Sequence, residues 1–282
     1  MLKSLFCLGL AASLLLGGAT AQAPEKPAAT GFQAAFEDYQ KGKDVRDALD
    51  RVIANETASA KERFNAAYLA AVIALDAGRV DDAFAMLDKA EKVVASQPQT
   101  SIRRAEAQIA KGDPKAAQKS LDKAAKEMMG KKGDLVKRLA LTQASCDAAL
   151  GAPQRAVERL EKFALGAGKN DWEVALALGR HYEMLDKPKD AIAAYERVIA
   201  ADPKIDPFGG LIAYQRAAAL AIGSDGGSYG KPDLAKVAVE RYDIFTARAA
   251  ANGIAKDVVD QAAQASDVLK SFVLRRKGGD AK

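Results

Sequence analysis

The chain is poor in the residue types on which most enzyme and metal sites depend. It has one histidine, two cysteines and one tryptophan in 282 residues, and aromatic residues make up only 6%. The single histidine, His181, excludes sites built on a histidine pair and leaves Ser-His-Asp chemistry with one available base. Two cysteines exclude a disulfide framework and cysteine-rich zinc modules. The scarcity of aromatic residues in an alanine-rich chain favours helices over sheets.

Long apolar runs are also absent beyond the N-terminus. Lys3 precedes an apolar stretch over 5–16, and the small residues Ala19 and Ala21 follow it. This pattern predicts a signal peptide over residues 1–21, cleaved after Ala21. A transmembrane anchor is the alternative, but it needs about 20 apolar residues and the run is shorter. We therefore expect an exported protein, in a bacterial periplasm, with at most peripheral membrane contact.

Cleavage would change the charge and the cysteine count. Residues 1–21 contain one lysine and no acidic residue, so the formal net charge falls from +5 to +4. Such a small and diluted charge does not favour nucleic acid as a partner. The cut also removes Cys7, which leaves Cys146 unable to form an internal disulfide. Residues 22–30 are rich in proline, alanine and charge, and they predict a flexible lead-in.

The rest of the chain repeats itself. Four turns place a turn residue five positions before an alanine, and the intervals between successive alanines are 34, 39 and 35 residues. The alanines are Ala83, Ala117, Ala156 and Ala191. A looser copy ends at Ala48, 35 residues before Ala83, and another ends at Ala235, 44 residues after Ala191. Six units at this spacing predict a solenoid of stacked helical hairpins.

One unit, residues 172–205, shows the pattern of a hairpin. Leu178, Gly179 and Tyr182 recur at helical spacing in the first helix, and Ala191, Tyr195 and Val198 do so in the second. Pro188 is suited to the first turn of the second helix, because it lacks an N–H that would find no partner there. The small residues predict a close helix crossing, and the tyrosines would fill the space beside it.

These residues resemble the tetratricopeptide repeat (TPR) family, whose 34-residue consensus the 172–205 unit matches at Leu178, Gly179, Tyr182, Ala191, Tyr195 and Pro203. The units 64–97, 98–131 and 137–170 match mainly through register. The resemblance implies an all-α fold, a right-handed α-solenoid of about six TPR-like helix–turn–helix repeats over residues 31–252. Residues 253–282 would form a C-terminal capping helix, over Asp257–Arg275, and a basic tail.

Two intervals are longer than 34 residues, and both place their excess in turn-rich segments. The 117→156 interval has its excess around 128–133, and the 191→235 interval around 208–210 and 224–230. The glycine-rich segment Ser224–Gly230 lacks the lysine and context of a phosphate-binding loop, so it predicts a connection between helices. The basic residues 275–277 suit a helix C-terminus, with lipid contact as the alternative.

The TPR resemblance also implies a concave groove lined by the first helix of each unit. Its positions 2, 5, 9, 12 and 13 correspond here to Asn65, Tyr68, Val72, Leu75 and Asp76; Gln99, Ile102, Glu106, Ile109 and Ala110; Arg138, Leu141, Ser145, Ala148 and Ala149; and Glu173, Leu176, Arg180, Glu183 and Met184. The alternative for each apolar member is packing against the neighbouring repeat. The Lys and Asn set that grips a C-terminal carboxylate in one family subtype is missing, because position 9 is Val72, Glu106, Ser145 and Arg180.

No constellation points to catalysis, a metal or a cofactor. His181 and Cys146 both lie in helical patterns and are expected to pack there, with a catalytic or redox role as the alternatives. We therefore predict a non-catalytic scaffold that binds a peptide segment or helix of an envelope protein in the groove. The alternatives are a structural subunit of an outer-membrane, polysaccharide or secretion assembly, docked through its convex face or C-terminal helix, and a hydrolytic enzyme.

Overall fold

The computed structural model describes residues 31–130, 132–166, 168, 170–201, 232–249 and 256–279. The predicted signal peptide, the lead-in and the Ser224–Gly230 connection lie outside these residues. Every regular element in the described part of the chain is an α-helix, as the composition predicts. None of these helices is both long enough and apolar enough to span a membrane.

The helices come in the order expected of successive hairpins. Their bounds are α1 Phe32–Gln40, α2 Arg46–Ala54, α3 Ala60–Asp76, α4 Val80–Val93, α5 Pro98–Lys111, α6 Pro114–Glu127, α7 Asp134–Ala149, α8 Pro153–Ala164, α9 Trp172–Met184, α10 Pro188–Ala201, α11 Pro232–Ala249 and α12 Lys256–Gly279.

The chain divides into two compact units, the first ending at Gly151 and the second beginning at Ala152. In unit 1, α3 packs against α4 and α5 against α6, while α3, α5 and α7 also contact each other in succession. In unit 2, α9 packs against α8 and α10, and α11 packs against α12. The hairpins α3–α4, α5–α6, α9–α10 and α11–α12 therefore bury apolar side chains between their two helices, and those of unit 1 also pack against the next helices of that unit.

The turn inside each hairpin has the same backbone geometry. The residues five positions before the repeated alanines are Gly78, Gly112, Gly151 and Asp186, with φ of +71°, +85°, +79° and +53°. This left-handed conformation ends a helix and lets the chain reverse, and glycine adopts it most easily. The second helices α6, α8 and α10 then begin with a proline at their first position.

The repeated alanines occupy equivalent places in successive hairpins. Each is the fourth residue of its helix, in α4, α6, α8 and α10, and each is completely buried. Four residues later stand Leu87, Leu121, Leu160 and Tyr195, which are also fully buried or nearly so. The register predicted from the sequence is therefore confirmed for these four hairpins.

The upstream copy of the repeat is shifted by one residue from the prediction. The fourth residue of α2 is Leu49, which is completely buried, whereas Ala48 is only half-buried. The interval from Leu49 to Ala83 is then 34 residues. The downstream Ala235 is the fourth residue of α11, but its side chain lies outside the described set.

Two predicted details of the chain are also present, and the segment predicted as a capping helix is helical. The α9–α10 crossing is close, because a Cβ at Gly179 would lie 2.7 Å from Cζ of Tyr195. The excess residues of the 117→156 interval form the connection between α6 and α7. The predicted capping helix over Asp257–Arg275 lies within α12, which Ser266 and Lys270 tie to Asp243 of α11 at 2.7 and 2.8 Å.

Candidate protein-interaction site

Polar side chains from three first helices of unit 1 meet at one place. Tyr68 comes from α3, Arg103 and Glu106 come from α5, and Arg138 and Thr142 come from α7. We call these five residues the α3–α5–α7 cluster. The helices bring them together because each first helix packs against the next one, so that side chains about one repeat apart become neighbours.

Glu106 is the centre of the α3–α5–α7 cluster. Arg103 Nη1 donates to its Oε2 at 2.7 Å. Thr142 Oγ1 lies 3.1 Å from its Oε1 and 2.9 Å from the carbonyl oxygen of Arg138, so the one hydroxyl hydrogen has two acceptors. Arg138 Nη1 reaches Oε1 at 3.5 Å, which is the outer limit of a hydrogen bond. One carboxylate thus accepts from two helices at once and links α5 to α7.

Arg103 is the most deeply buried charge of the cluster. Its side chain is 3% exposed, compared with 13% for Glu106 and 23% for Arg138. Its Nε donates to the Tyr68 hydroxyl at 3.4 Å, while its Nη2 is buried and has no hydrogen-bond partner among the described residues. A guanidinium has five N–H donors, so Arg103 donates fewer hydrogen bonds than it could.

The electrostatics of the pair favour the charged forms. Burial by itself would lower the pKa of Arg103, but the neighbouring Glu106 carboxylate outweighs it and the pKa is raised. Burial would likewise raise the pKa of Glu106, but the Arg103 and Arg138 guanidiniums hold it below its ordinary value of 4.5. Both groups are therefore ionised at neutral pH, and the cluster contains two cations and one anion.

Three residues predicted to line the groove belong to the core instead. Val72, Ile102 and Leu176 are 1%, 0% and 8% exposed. The physical reason is the small size of the alanines around them, because closely approaching helices need these branched side chains to fill the space between hairpins. These three residues cannot contact a partner, and the alternative of packing applies to them.

The remaining groove residues are open to solvent to different degrees. Ala110, Ala149 and Met184 are exposed, and the half-buried ones are Asn65, Tyr68, Leu75, Asp76, Gln99, Glu106, Ile109, Arg138, Leu141, Ser145, Ala148, Glu173, Arg180 and Glu183. The structure brings together three of them, Tyr68, Glu106 and Arg138, in the α3–α5–α7 cluster. Binding by these residues is still a prediction.

Arg103 and Thr142 belong to the cluster but are missing from the predicted groove. The spacing of Arg103 and Glu106, three residues apart on one helix, is a visible sign of a possible ion pair. The sequence gives no sign that this pair is buried, since burial depends on α3 and α7. Thr142 is a full repeat away from Glu106 along the chain, so its contact could be found only through the exact register of two helices.

The two other residues singled out from the sequence lie inside helices. Cys146 is buried in α7, with its Sγ 3.3 Å from the carbonyl oxygen of Pro114. His181 is buried in α9 at 8% exposure. Within the described ranges, no three His, Cys, Asp or Glu side chains are grouped as metal ligands.

A solved structure shares this arrangement of helices, and two more are similar over part of the chain. A tetratricopeptide repeat protein from Parabacteroides merdae superposes with a TM-score of 0.63 at 12% identity, over 83% of this chain and 82% of that one. YrrB, a TPR protein described with an unusual peptide-binding site, gives a TM-score of 0.43 at 18% identity, over 70% and 93% of the two chains. MamA gives 0.45 at 19%, over 68% and 96%.

The sequence matches no protein-family model and no curated protein sequence. The likeness therefore concerns the fold. The chain has the all-helical fold of TPR proteins, an α-solenoid of helical hairpins, as the repeat spacing predicts.

Proposed function

We propose that this protein is a non-catalytic scaffold that binds an extended segment of a partner protein on the α3–α5–α7 face of unit 1. By this face we mean the half-buried residues Asn65, Tyr68, Leu75, Gln99, Glu106, Arg138, Leu141 and Ser145. The observation that supports the proposal is the α3–α5–α7 cluster, in which polar and charged side chains of three hairpins converge.

The physical case rests on the composition of this face. Apolar side chains such as Leu75 and Leu141 alternate with amide, hydroxyl and charged groups. Such a mixture suits a peptide, because the apolar residues supply contact area while the polar ones satisfy main-chain and side-chain groups of the ligand. We also propose that the protein acts in the periplasm, which rests on the signal-peptide pattern over residues 1–21.

Selection from a displayed library of random 12-residue peptides on the purified chain tests the binding proposal. Enriched peptides would be synthesised and their affinity measured by fluorescence anisotropy. Leu141→Glu and Ser145→Glu each place a negative charge on the face and should weaken binding at least tenfold by desolvation and lost contact. Gln118→Glu adds the same charge at an exposed position of α6 and should leave affinity unchanged.

Far-UV circular dichroism of each variant would confirm that the helices are intact. Equal affinities for the wild-type chain and for both face variants would refute the location of the site. Failure of any peptide to bind the wild-type chain would refute the proposal of peptide binding as a whole.

A further inference from the structure

The charged pair of α5 stands where the preceding repeat has an apolar pair. Arg103 and Glu106 are 34 residues after Leu69 and Val72, which are 6% and 1% exposed in the core of the previous hairpin. Both pairs lie on the first helix of their unit. An apolar pair is thus sufficient for stacking at these positions, and stability alone does not account for the buried charges of α5.

The cluster has one positive charge in excess. Arg103 and Arg138 are both cations, and Glu106 is the carboxylate that faces them among the described residues. Charge at a mostly desolvated position is costly unless an opposite charge pairs with it. Among the described residues Arg103 Nη2 has no partner, but it is fully buried, whereas the side chain of Arg138 is 23% exposed and its 3.5 Å contact with Glu106 is weak. One more carboxylate, bound by Arg138, would balance the excess positive charge.

We propose that the α3–α5–α7 cluster binds an acidic side chain, Asp or Glu, within the partner segment. This inference rests on the proposed function and specifies the chemistry of its ligand. A carboxylate suits the site because a guanidinium can donate two parallel hydrogen bonds to it. Arg138, which is 23% exposed, is the cation that the carboxylate contacts, and the buried Arg103 adds a second positive charge behind it.

The position of the cluster favours a side chain inside the segment over the end of a chain. Asn65 and Tyr68 of α3 lie on one side of Arg103, and Leu141 and Ser145 of α7 continue the face on the other side. A segment that contacts α3 and α7 together therefore crosses the cluster. Asp76 is the acidic residue among the predicted groove positions of α3. It is eight residues from Tyr68, or about 12 Å along the helix axis, so it lies away from the cluster.

The test uses the peptides enriched on the wild-type chain. We expect them to share an Asp or Glu, and changing that residue to Asn or Gln should weaken binding about tenfold or more. The same change should have little effect on binding to Arg138→Gln, whereas the double variant Arg103→Leu/Glu106→Val keeps Arg138 and the net charge of the cluster, so binding to it should still weaken about tenfold. The double variant restores the apolar pair of the preceding repeat, so it is expected to stay folded; Arg138→Gln alters only a partly exposed side chain.

Three results would overturn the inference. Enriched peptides without a shared acidic residue would do so, as would an equal loss from the acid-to-amide change in the wild-type chain and in Arg138→Gln. A tenfold loss on amidation of the peptide C-terminus, with no loss from the side-chain change, would assign the site to a chain end. In all three cases peptides still bind and the proposed function stands, whereas a complete lack of binding would remove both.

Discussion

Two neighbouring hairpins of unit 1 solve the same packing problem in different ways. In α3, Leu69 and Val72 fill the core, while the equivalent residues of α5 are Arg103 and Glu106, which are buried as an ion pair. The apolar pair needs nothing beyond close contact, whereas the ionic pair depends on Tyr68, Arg138 and Thr142 from two other helices. The comparison shows that a charged pair occupies this core position of the repeat where adjacent hairpins supply hydrogen-bond partners for it.

A second comparison concerns the hairpin that matches the TPR pattern best. Gly179 and Tyr195 make the close crossing of α9 and α10, and the Tyr195 hydroxyl donates to Glu183. The residues at consensus positions therefore determine how the two helices of one hairpin pack against each other. The residues with candidate function lie where α5 departs from that pattern, as expected if packing positions are shared and binding positions are not.

The largest effect is expected when the ionic pair of α5 is broken without being replaced. Glu106→Gln leaves Arg103 buried with no opposite charge beside it, and we expect a loss of about 3–5 kcal/mol in the free energy of unfolding. Urea unfolding followed by far-UV circular dichroism measures it. The control Arg103→Leu/Glu106→Val should be as stable as the wild-type chain or more stable. An equal loss of unfolding free energy in the two variants would show that an apolar pair, as in α3, cannot replace the charged pair in α5.

A smaller loss is expected from crowding the α9–α10 crossing. A Cβ at Gly179 would lie 2.8 Å from Cδ1 of Tyr195, a completely buried side chain with little room to move. Gly179→Ala should therefore destabilise unit 2 by about 1–3 kcal/mol. The fluorescence of Trp172, the one tryptophan, reports unfolding from within α9.

Gly166→Ala is the control for that change. A Cβ at Gly166 would have its nearest neighbour at 3.8 Å, which is ordinary contact. Its midpoint of unfolding should stay close to that of the wild-type chain. If the two alanine variants unfold at the same urea concentration, the close crossing is not a constraint on the hairpin.

The smallest effects are expected in the turns inside the hairpins. Gly112 has φ of +85° and Asp186 has φ of +53°, so both are left-handed although only one is glycine. Gly112→Ala should cost about 1–2 kcal/mol, because a Cβ is strained there. Asp186→Gly should stabilise its hairpin by up to about 1 kcal/mol, since the relief of strain exceeds the added chain entropy. Thermal unfolding of the two variants should shift in opposite directions, and a shift in the same direction would contradict this.

Much of the hairpin architecture could be predicted from residue spacing. Ala83, Ala117, Ala156 and Ala191 were placed in equivalent positions by intervals close to 34 residues, and each is completely buried. The prediction was one residue off at Ala48, because α2 has both Ala48 and Leu49 at its start and the pattern does not say which faces the core. The helices were predicted from the spacing of apolar residues and from the turn residues between them, which are local properties of the sequence.

The groove was predicted less well, for a reason that lies in its geometry. Repeat positions say which helix face a residue is on, but not how closely the next helix approaches that face. Val72, Ile102 and Leu176 are therefore on a predicted binding surface and yet buried. Arg103 is the opposite case, a charged residue that was not among the predicted groove residues and that the fold buries beside Glu106.

The helical hairpins, their register and the turns between their helices depend on residues a few positions apart, so the amino-acid sequence was sufficient to predict them. Which charges are buried, and which side chains of α3, α5 and α7 meet, became known from the folded structure. Those contacts join residues about one repeat apart, and their energy depends on the distance between helices and on the water excluded between them. No local pattern encodes either quantity.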